Sequence, residues 1–484
     1  MTINRLRHEF TELLGTDGVI SEGPQLRTYE CDGLTGYRVR PALVVLPTTT
    51  EEVAAVVRAC RRERVPFVAR GSGTGLSGGA LPHEDGVLIV LARMRAILHV
   101  DIEHRYLVAE PGVTNAAISK AVAGHDLYYA PDPSSQIVCS IGGNVAENSG
   151  GVHCLKYGFT TNHVLGLEFV TTDGDVVDLG APVFDSPGYD LRGVVIGSEG
   201  TLGIVTKVAV RLLRKPEAVE TLLADFDTPR QAGEAVAAIT TAGIIPAGME
   251  MMDHLAITAC EEDAKVGLNL DAGAVLVVEL DGPRDEVAAL FDEVQDHCRQ
   301  AGATNIRIAQ DAAERALIWR GRKAAFAAMG RLSRDYFVQD GVIPRTRLGE
   351  VLERIDVMSE EAGYRVANVF HAGDGNLHPL VLYDGRNEGE AEEAERLAIK
   401  IVELCVEAGG SITGEHGVGA DKACSMPKMF GEEDLAVMQR LRAAFDPDGL
   451  CNPGKVFPTP RLCGERPGPY RPHPLEEAGL AERL

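Results

Sequence analysis

The chain alternates between short apolar runs and amphipathic stretches, and the period of each stretch sets the element it predicts. Ala42-Leu43-Val44-Val45-Leu46 is an unbroken apolar run of strand length. After it, Val53, Val56, Val57 and Cys60 recur at helical spacing. Thr50 is the expected cap of that helix, with Glu51 and Glu52 in the first turn, where acids suit the helix dipole. Val65–Ala69 and Gly86–Leu91 read as strands flanking a glycine loop. Residues 96–111 read as strands and Asn115–Val122 as a helix. Residues 164–178 read as two strands joined by the hairpin signal Asp173-Gly174, and Gly203–Leu213 as another strand. Beyond Lys215-Pro216 the texture changes. Strand-like runs at 221–226 and 274–280 alternate with Ala-, Glu- and Arg-rich helices at 229–242, 284–301 and 390–408. That pattern predicts one sheet with helices on one side. Residues 447–458 return to a glycine/proline loop texture, and 461–484 form a proline-rich tail expected to be poorly ordered.

Composition narrows the class. At roughly 150 residues per domain, 484 residues predict about three domain-sized units. With 45% hydrophobic and 24% charged residues the chain is globular rather than disordered or fibrous. The net charge is −24, and no basic run offers a nucleic-acid surface. No apolar stretch reaches the roughly 18 residues of a membrane span, and the N-terminus lacks a signal core. The expectation is a cytoplasmic protein with reduced thiols. Its ten cysteines include no C-x-x-C pair, which argues against an iron–sulfur cluster or zinc ribbon in this chain.

Glycine is enriched and clustered. Arg70-Gly71-Ser72-Gly73-Thr74-Gly75-Leu76-Ser77-Gly78-Gly79-Ala80 holds five glycines in eleven residues. Gly73, Gly75 and Gly78 satisfy G-x-G-x-x-G, but a breaker-rich loop and a strand follow where a dinucleotide fold needs a helix. A Rossmann fold is therefore excluded. A glycine loop without a helix still binds phosphate through curled backbone N–H groups. Two further clusters, Pro131–Gln136 running into Ser140–Gly151, and Gly197–Thr206, suggest a long cofactor lying against backbone.

A second constellation lies downstream. His371-Ala372-Gly373-Asp374-Gly375-Asn376-Leu377-His378 is a strand, a glycine turn and a return, which brings two imidazoles together. Gly414-Glu415-His416-Gly417 sets a carboxylate beside a third histidine. Two histidines and a glutamate with an open position form a catalytic metal set, suited to Zn²⁺ and also to Mn²⁺, Fe²⁺ or Co²⁺. On residues alone, a metal-dependent hydrolase and a non-catalytic cofactor-binding scaffold both stay open.

The order R-G-S-G-T, P-D-P-S-S-Q, S-I-G-G-N-V-A-E-N-S-G-G and G-S-E-G-T-L-G-I resembles the flavin-binding domain of the vanillyl-alcohol oxidase/p-cresol methylhydroxylase superfamily. H-A-G-D-G-N-L-H, G-E-H-G-V-G and Asn452-Pro453-Gly454-Lys455 resemble the C-terminal domain of its flavin-linked D-2-hydroxy-acid dehydrogenases. Within that branch the likeness is greatest to glycolate oxidase subunits.

The resemblance implies an α+β protein. A two-subdomain flavin-binding domain precedes an α/β substrate, or cap, domain with an antiparallel sheet, and a C-terminal segment returns toward the flavin domain. The implied divisions are a lead-in over 1–40, the FAD-binding domain over 41–216 and the cap over 217–440. The returning segment is 441–460 and the tail 461–484. FAD would be held by Arg70, Gly71, Ser72, Gly73, Thr74, Gly75, Pro131, Ser135, Gly142, Gly143, Asn144, Asn148, Gly150, Gly151, Glu199, Gly203, Ile204 and Asn452. With Thr74 and no histidine in the first glycine loop, non-covalent FAD is expected. The resemblance makes His371, His378 and Glu415 ligands of a divalent metal, Zn or Mn first, and His416 the base. It makes Arg320 the partner of the substrate carboxylate. It also implies a small 2-hydroxy-acid substrate, glycolate before D-lactate, and the apolar Pro379-Leu380-Val381 after the second histidine disfavour a substrate with a distal carboxylate. Electrons would leave through a second flavin-domain subunit and an iron–sulfur subunit at the inner membrane.

Overall fold

The computed structural model describes residues 2–181 and 188–458. The expected tail lies outside the described residues. A four-stranded sheet begins the fold, in the order Val19–Ile20, Leu43–Val45, Val87–Val90, Phe67–Arg70. Its three longer strands are parallel. The helices Thr2–Leu14 and Thr50–Glu63 cover it with Leu6, Phe10, Val53, Val56, Val57 and Cys60. Thr49, one residue earlier than expected, caps the second helix by accepting from the Glu52 N–H at 3.2 Å. The hydroxyl of Thr50 donates instead to Glu168 at 2.6 Å, tying the helix to the next sheet.

That next sheet is antiparallel, in the order Ile97–Asp101, Tyr106–Ala109, Gly203–Arg211, Val164–Thr171, Val176–Gly180. Helices Asn115–Val122 and Ile141–Glu147 pack on it through Ile118, Val122, Ile141 and Val145. The second helix corrects an expectation: the 140–151 glycine stretch begins as a helix and becomes a loop only after Asn148, whose φ of 53° ends it.

The third sheet runs Asn305–Ile308, Ala218–Phe226, Ala274–Gly282, Gly248–Asp253, Val366–His371, Asn376–Leu377, Gly341–Val342. Strand Pro379–Tyr383 pairs with both Asp335–Val338 and Val366–His371. The pairings named are antiparallel. Helices cover both faces of this sheet rather than one. Leu222, Phe226, Met249 and Met251 pack against helices Pro229–Thr241, Arg284–Gln300, Leu348–Ala362 and Glu390–Glu407. Leu223, Met252, Val275 and Val277 pack on the other face against His254–Ala264 and Ile318. The reason is in the strands, which are apolar at consecutive positions and so must bury both faces.

Helix Glu432–Phe445 spans the expected division at 440, so the returning segment starts at Asp446. It then docks on the first sheet. Phe67 N–H donates to Leu450 O at 2.9 Å, and Asn452 N–H to Phe67 O at 2.8 Å.

Candidate active site

A cavity of about 410 Å³ lies between the glycine loops and the third sheet's helices. Arg70, Gly71, Ser72, Gly73, Thr74 and Gly75 line it, as do Ser135, Gly142, Gly143, Asn144, Glu199, Gly203 and Ile204. The glycines are required by close approach. A Cβ on Gly71 would run into the Ser140 hydroxyl, and one on Gly142 would lie 2.6 Å from Cβ of Pro111. The Ser140 hydroxyl is buried without a hydrogen-bond partner. A cradle of bare backbone with an unsatisfied hydroxyl fits the pyrophosphate of FAD.

The remaining expected cofactor residues act beside the cavity rather than in its lining. The Pro131 carbonyl accepts from Asn115 Nδ2 at 3.0 Å. Asn148 ends its helix and accepts from the Thr161 N–H at 2.9 Å. Gly151 holds a φ of 144°, and a Cβ there would press on the Asp132 carbonyl. Gly150 backs onto Glu415. Asn452 Nδ2 bridges two loops, donating to Gly79 O at 2.9 Å and Glu199 O at 2.7 Å.

At the other wall, His371 ends its strand and pairs in register with Asn376, so the return brings His378 alongside. Their rings meet edge to face with centroids 5.1 Å apart. Glu415 Oε1 lies 3.2 Å from His371 Nε2 and 3.2 Å from His378 Nε2. Tetrahedral ligands at roughly 2.1 Å from a zinc ion would sit about 3.4 Å apart, so these donor atoms fit a divalent ion. The charges agree. Against the effect of burial, Glu250 and Glu415 raise the His371 imidazole well above its ordinary range. Also against burial, His371 and His378 hold the Glu415 carboxyl well below its own. A cluster whose carboxylates favour positive charge on His371 is one that a cation could occupy in place of the proton.

Two carboxylates that the sequence reading missed set this geometry. Glu250, buried on strand Gly248–Asp253, meets His371 Nδ1 at 2.6 Å and leaves Nε2 facing Glu415. Its other oxygen is ion-paired with buried Arg322 at 2.7 Å. Asp340 is fully buried and accepts the N–H groups of Gly414 at 3.0 Å, Glu415 at 3.2 Å and His416 at 2.9 Å. It thereby pins the loop that carries Glu415 and His416. Burial works against its charge, but His416, Lys422 and His378 hold the Asp340 carboxyl far below its ordinary range. A signal for Glu250 existed: an acid inside the apolar run Met249-Glu250-Met251-Met252 demands a buried partner.

His416 lines the cavity with its ring stacked on His378, centroids 4.9 Å apart. Its Nε2 is 4.0 Å from Glu415 Oε1, farther than either of the other two imidazoles. Burial pushes the His416 imidazole down to about 4, against the pull of Asp340. Asp340, His378 and His416 also lie close enough together to hold an ion, the alternative arrangement in which His416 is a ligand.

Arg320 is not part of the site. It is exposed, and its guanidinium donates to the Ala264 carbonyl at 2.9 Å. Helix Ala312–Lys323 turns Trp319 and Arg322 inward and leaves exposed Lys323 at the cavity edge, and the same helical spacing carries Arg320 outward.

Two family models cover the chain: an FAD binding domain over residues 41–180, and the C-terminal domain of FAD linked oxidases over 215–456. The glycolate oxidase subunit GlcD of Escherichia coli K12 is 54% identical over 94% of this chain and 90% of its own length. The Bacillus subtilis protein of the same name is 37% identical, over 94% and 97%. Among solved structures, p-cresol methylhydroxylase superposes with a TM-score of 0.79 at 18% identity, covering 94% of this chain and 96% of that one.

Proposed function

Because the chain belongs to the FAD-linked oxidases and is an FAD-dependent hydroxy-acid oxidoreductase, we propose that it oxidises glycolate, and D-lactate second, at the junction of its glycine cradle and histidine cluster. Residues 41–216 serve as the FAD-binding part and 217–445, to the end of helix Glu432–Phe445, as the cap that brings the substrate to it. FAD is held without a covalent bond, in keeping with Thr74 in the first loop. His371, His378 and Glu415 hold a divalent metal, Zn or Mn.

When bound, the flavin supplies a two-electron acceptor and the metal a Lewis acid for the substrate hydroxyl. The chain does the rest. Glu250 fixes the His371 ring, and Asp340 fixes the loop of Glu415 and His416. His416 would take the hydroxyl proton at Nε2 while the Cα hydrogen leaves as hydride to the flavin, because its ring faces the cavity and its Nε2 stands back from Glu415, at 4.0 Å. The apolar wall of Phe326, packed 5.9 Å from His378, limits water there.

The protein is proposed to work within a hetero-complex, a reading supported by the word subunit in the name of its relatives, and the motif resemblance implies that electrons pass on to a second flavin-domain subunit and an iron–sulfur subunit. Among the described residues no helix is long and apolar enough to cross a membrane. A cytoplasmic location, with attachment at the inner membrane through those partners, fits this reading. The observation that carries the proposal is that Glu415 and His416 line the same cavity as the glycine cradle. Anaerobic mixing of purified protein with a panel of 2-hydroxy acids tests it. Glycolate should bleach the flavin; a flavin that no 2-hydroxy acid bleaches would refute it.

A further inference from the structure

With Arg320 outside the site, the cavity needs another cation for the substrate carboxylate. The basic side chains near it are nearly all committed. Arg322 is buried against Glu250. Lys422 is buried beside Asp340 at 3.5 Å, and Lys455 donates to Leu81 O at 3.1 Å. Arg70 belongs to the glycine loop and donates to Cys31 O at 2.7 Å.

Lys323 is different. It ends helix Ala312–Lys323, is exposed, and lines the cavity with Phe326, Ala327, Glu415 and His416. Its ammonium makes no ion pair among the described residues. Asp132, whose charge it supports from a distance, is already hydrogen-bonded to His153 at 2.9 Å.

Resting on the function proposed above, we propose that Lys323 is the residue that receives the substrate carboxylate and that it restricts the site to monocarboxylates. A lysine is a point charge on a flexible stem, able to follow one carboxylate across a small cavity. Phe326, the next cavity-lining residue, packs on His378 and offers a second carboxylate no partner. The acid with one charged end and its hydroxyl at the histidine cluster is the species this wall accommodates.

The test separates this assignment from the function itself by using oxamate, a 2-oxo monocarboxylate that cannot be oxidised here. Titrating the FAD- and metal-loaded enzyme with oxamate should perturb the flavin spectrum. Lys323→Met keeps the stem without the charge. It should weaken oxamate binding on the order of 10- to 100-fold, the usual weight of one charge-assisted hydrogen bond. FAD and metal content should be unchanged, and Lys323→Arg should restore most of the affinity. Equal oxamate affinity in wild type and Lys323→Met, or no wild-type binding, would overturn the assignment. So would loss of FAD from Lys323→Met, which would show a contact to the cofactor instead. Failure of glycolate to reduce the wild-type flavin bears on the function and leaves the oxamate result standing.

Discussion

Gly150 stands so close to Glu415 that a Cβ at position 150 would lie 2.7 Å from Glu415 Oε2 and 2.8 Å from Cε1 of Phe159. The missing side chain makes room for the carboxylate that joins His371 and His378. The glycine-rich stretch of the first half thus shapes the histidine cluster of the second. Gly150→Ala should therefore lower metal content while retaining most of the FAD, because position 150 is outside the cavity lining. Elemental analysis and flavin absorbance on one sample check both; loss of FAD with metal intact would contradict it.

Removing a ligand and removing its support should differ in degree. His371→Ala should abolish stoichiometric metal and most substrate-driven flavin reduction. Glu250→Gln keeps the ligand but weakens the hydrogen bond that orients it, and should lower metal affinity by roughly 10- to 100-fold. Competition with a graded series of chelators reads the two effects.

His416→Ala should keep its metal, since His371, His378 and Glu415 remain, and should slow flavin reduction by roughly 10² to 10⁴. If His416→Ala loses metal and Glu415→Gln retains it, the ion sits among Asp340, His378 and His416, and the two roles exchange.

A further effect concerns stability against pH. His153 joins the two halves: Nδ1 meets Asp132 at 2.9 Å and Nε2 meets Glu279 at 3.2 Å, while Glu279 also accepts from Trp319 Nε1 at 2.6 Å. Burial lowers the His153 pKa, but Asp132 and Glu279 more than offset it and raise it well above 6.5. A raised histidine stabilises the fold fully below its unfolded pKa, and that stability is lost as pH rises through the folded value. The Asp132 and Glu279 carboxyls are lowered from 3.8 and 4.5 in spite of burial, so their share is lost in acid. Thermal melts should show wild type exceeding His153→Gln most between about pH 5 and 6.5, with the gap closing on the alkaline side. A gap that widens above neutrality would contradict the linkage.

Much of this fold was legible because its strands announce themselves. Asn115–Val122 and the hairpin at Asp173-Gly174 appear where local pattern places them. Two-sided helix cover was signalled by consecutive apolar positions such as Leu222-Leu223, yet periodicity alone does not say what lies on each face. His371, His378, Glu415 and His416 were legible because glycines frame them. Glu250 left a trace as an acid inside an apolar run, but its partner His371 lies across the sheet, and Asp340 left none, because it acts on the distant 414–416 loop through backbone N–H groups. Arg320 was misread by a fraction of a helical turn: Arg322 faces inward and Lys323 borders the cavity, and nothing local marks that side of Trp319–Lys323.

The central claim is that the histidine cluster and the flavin cradle work as one site. Stopped-flow reduction of the bound FAD by glycolate under anaerobic conditions, comparing metal-stripped protein with the same sample reloaded with Zn²⁺ or Mn²⁺, tests it most directly. Rapid bleaching only after reloading is the predicted result. Equal rates with and without metal, with full FAD occupancy in both, would contradict it.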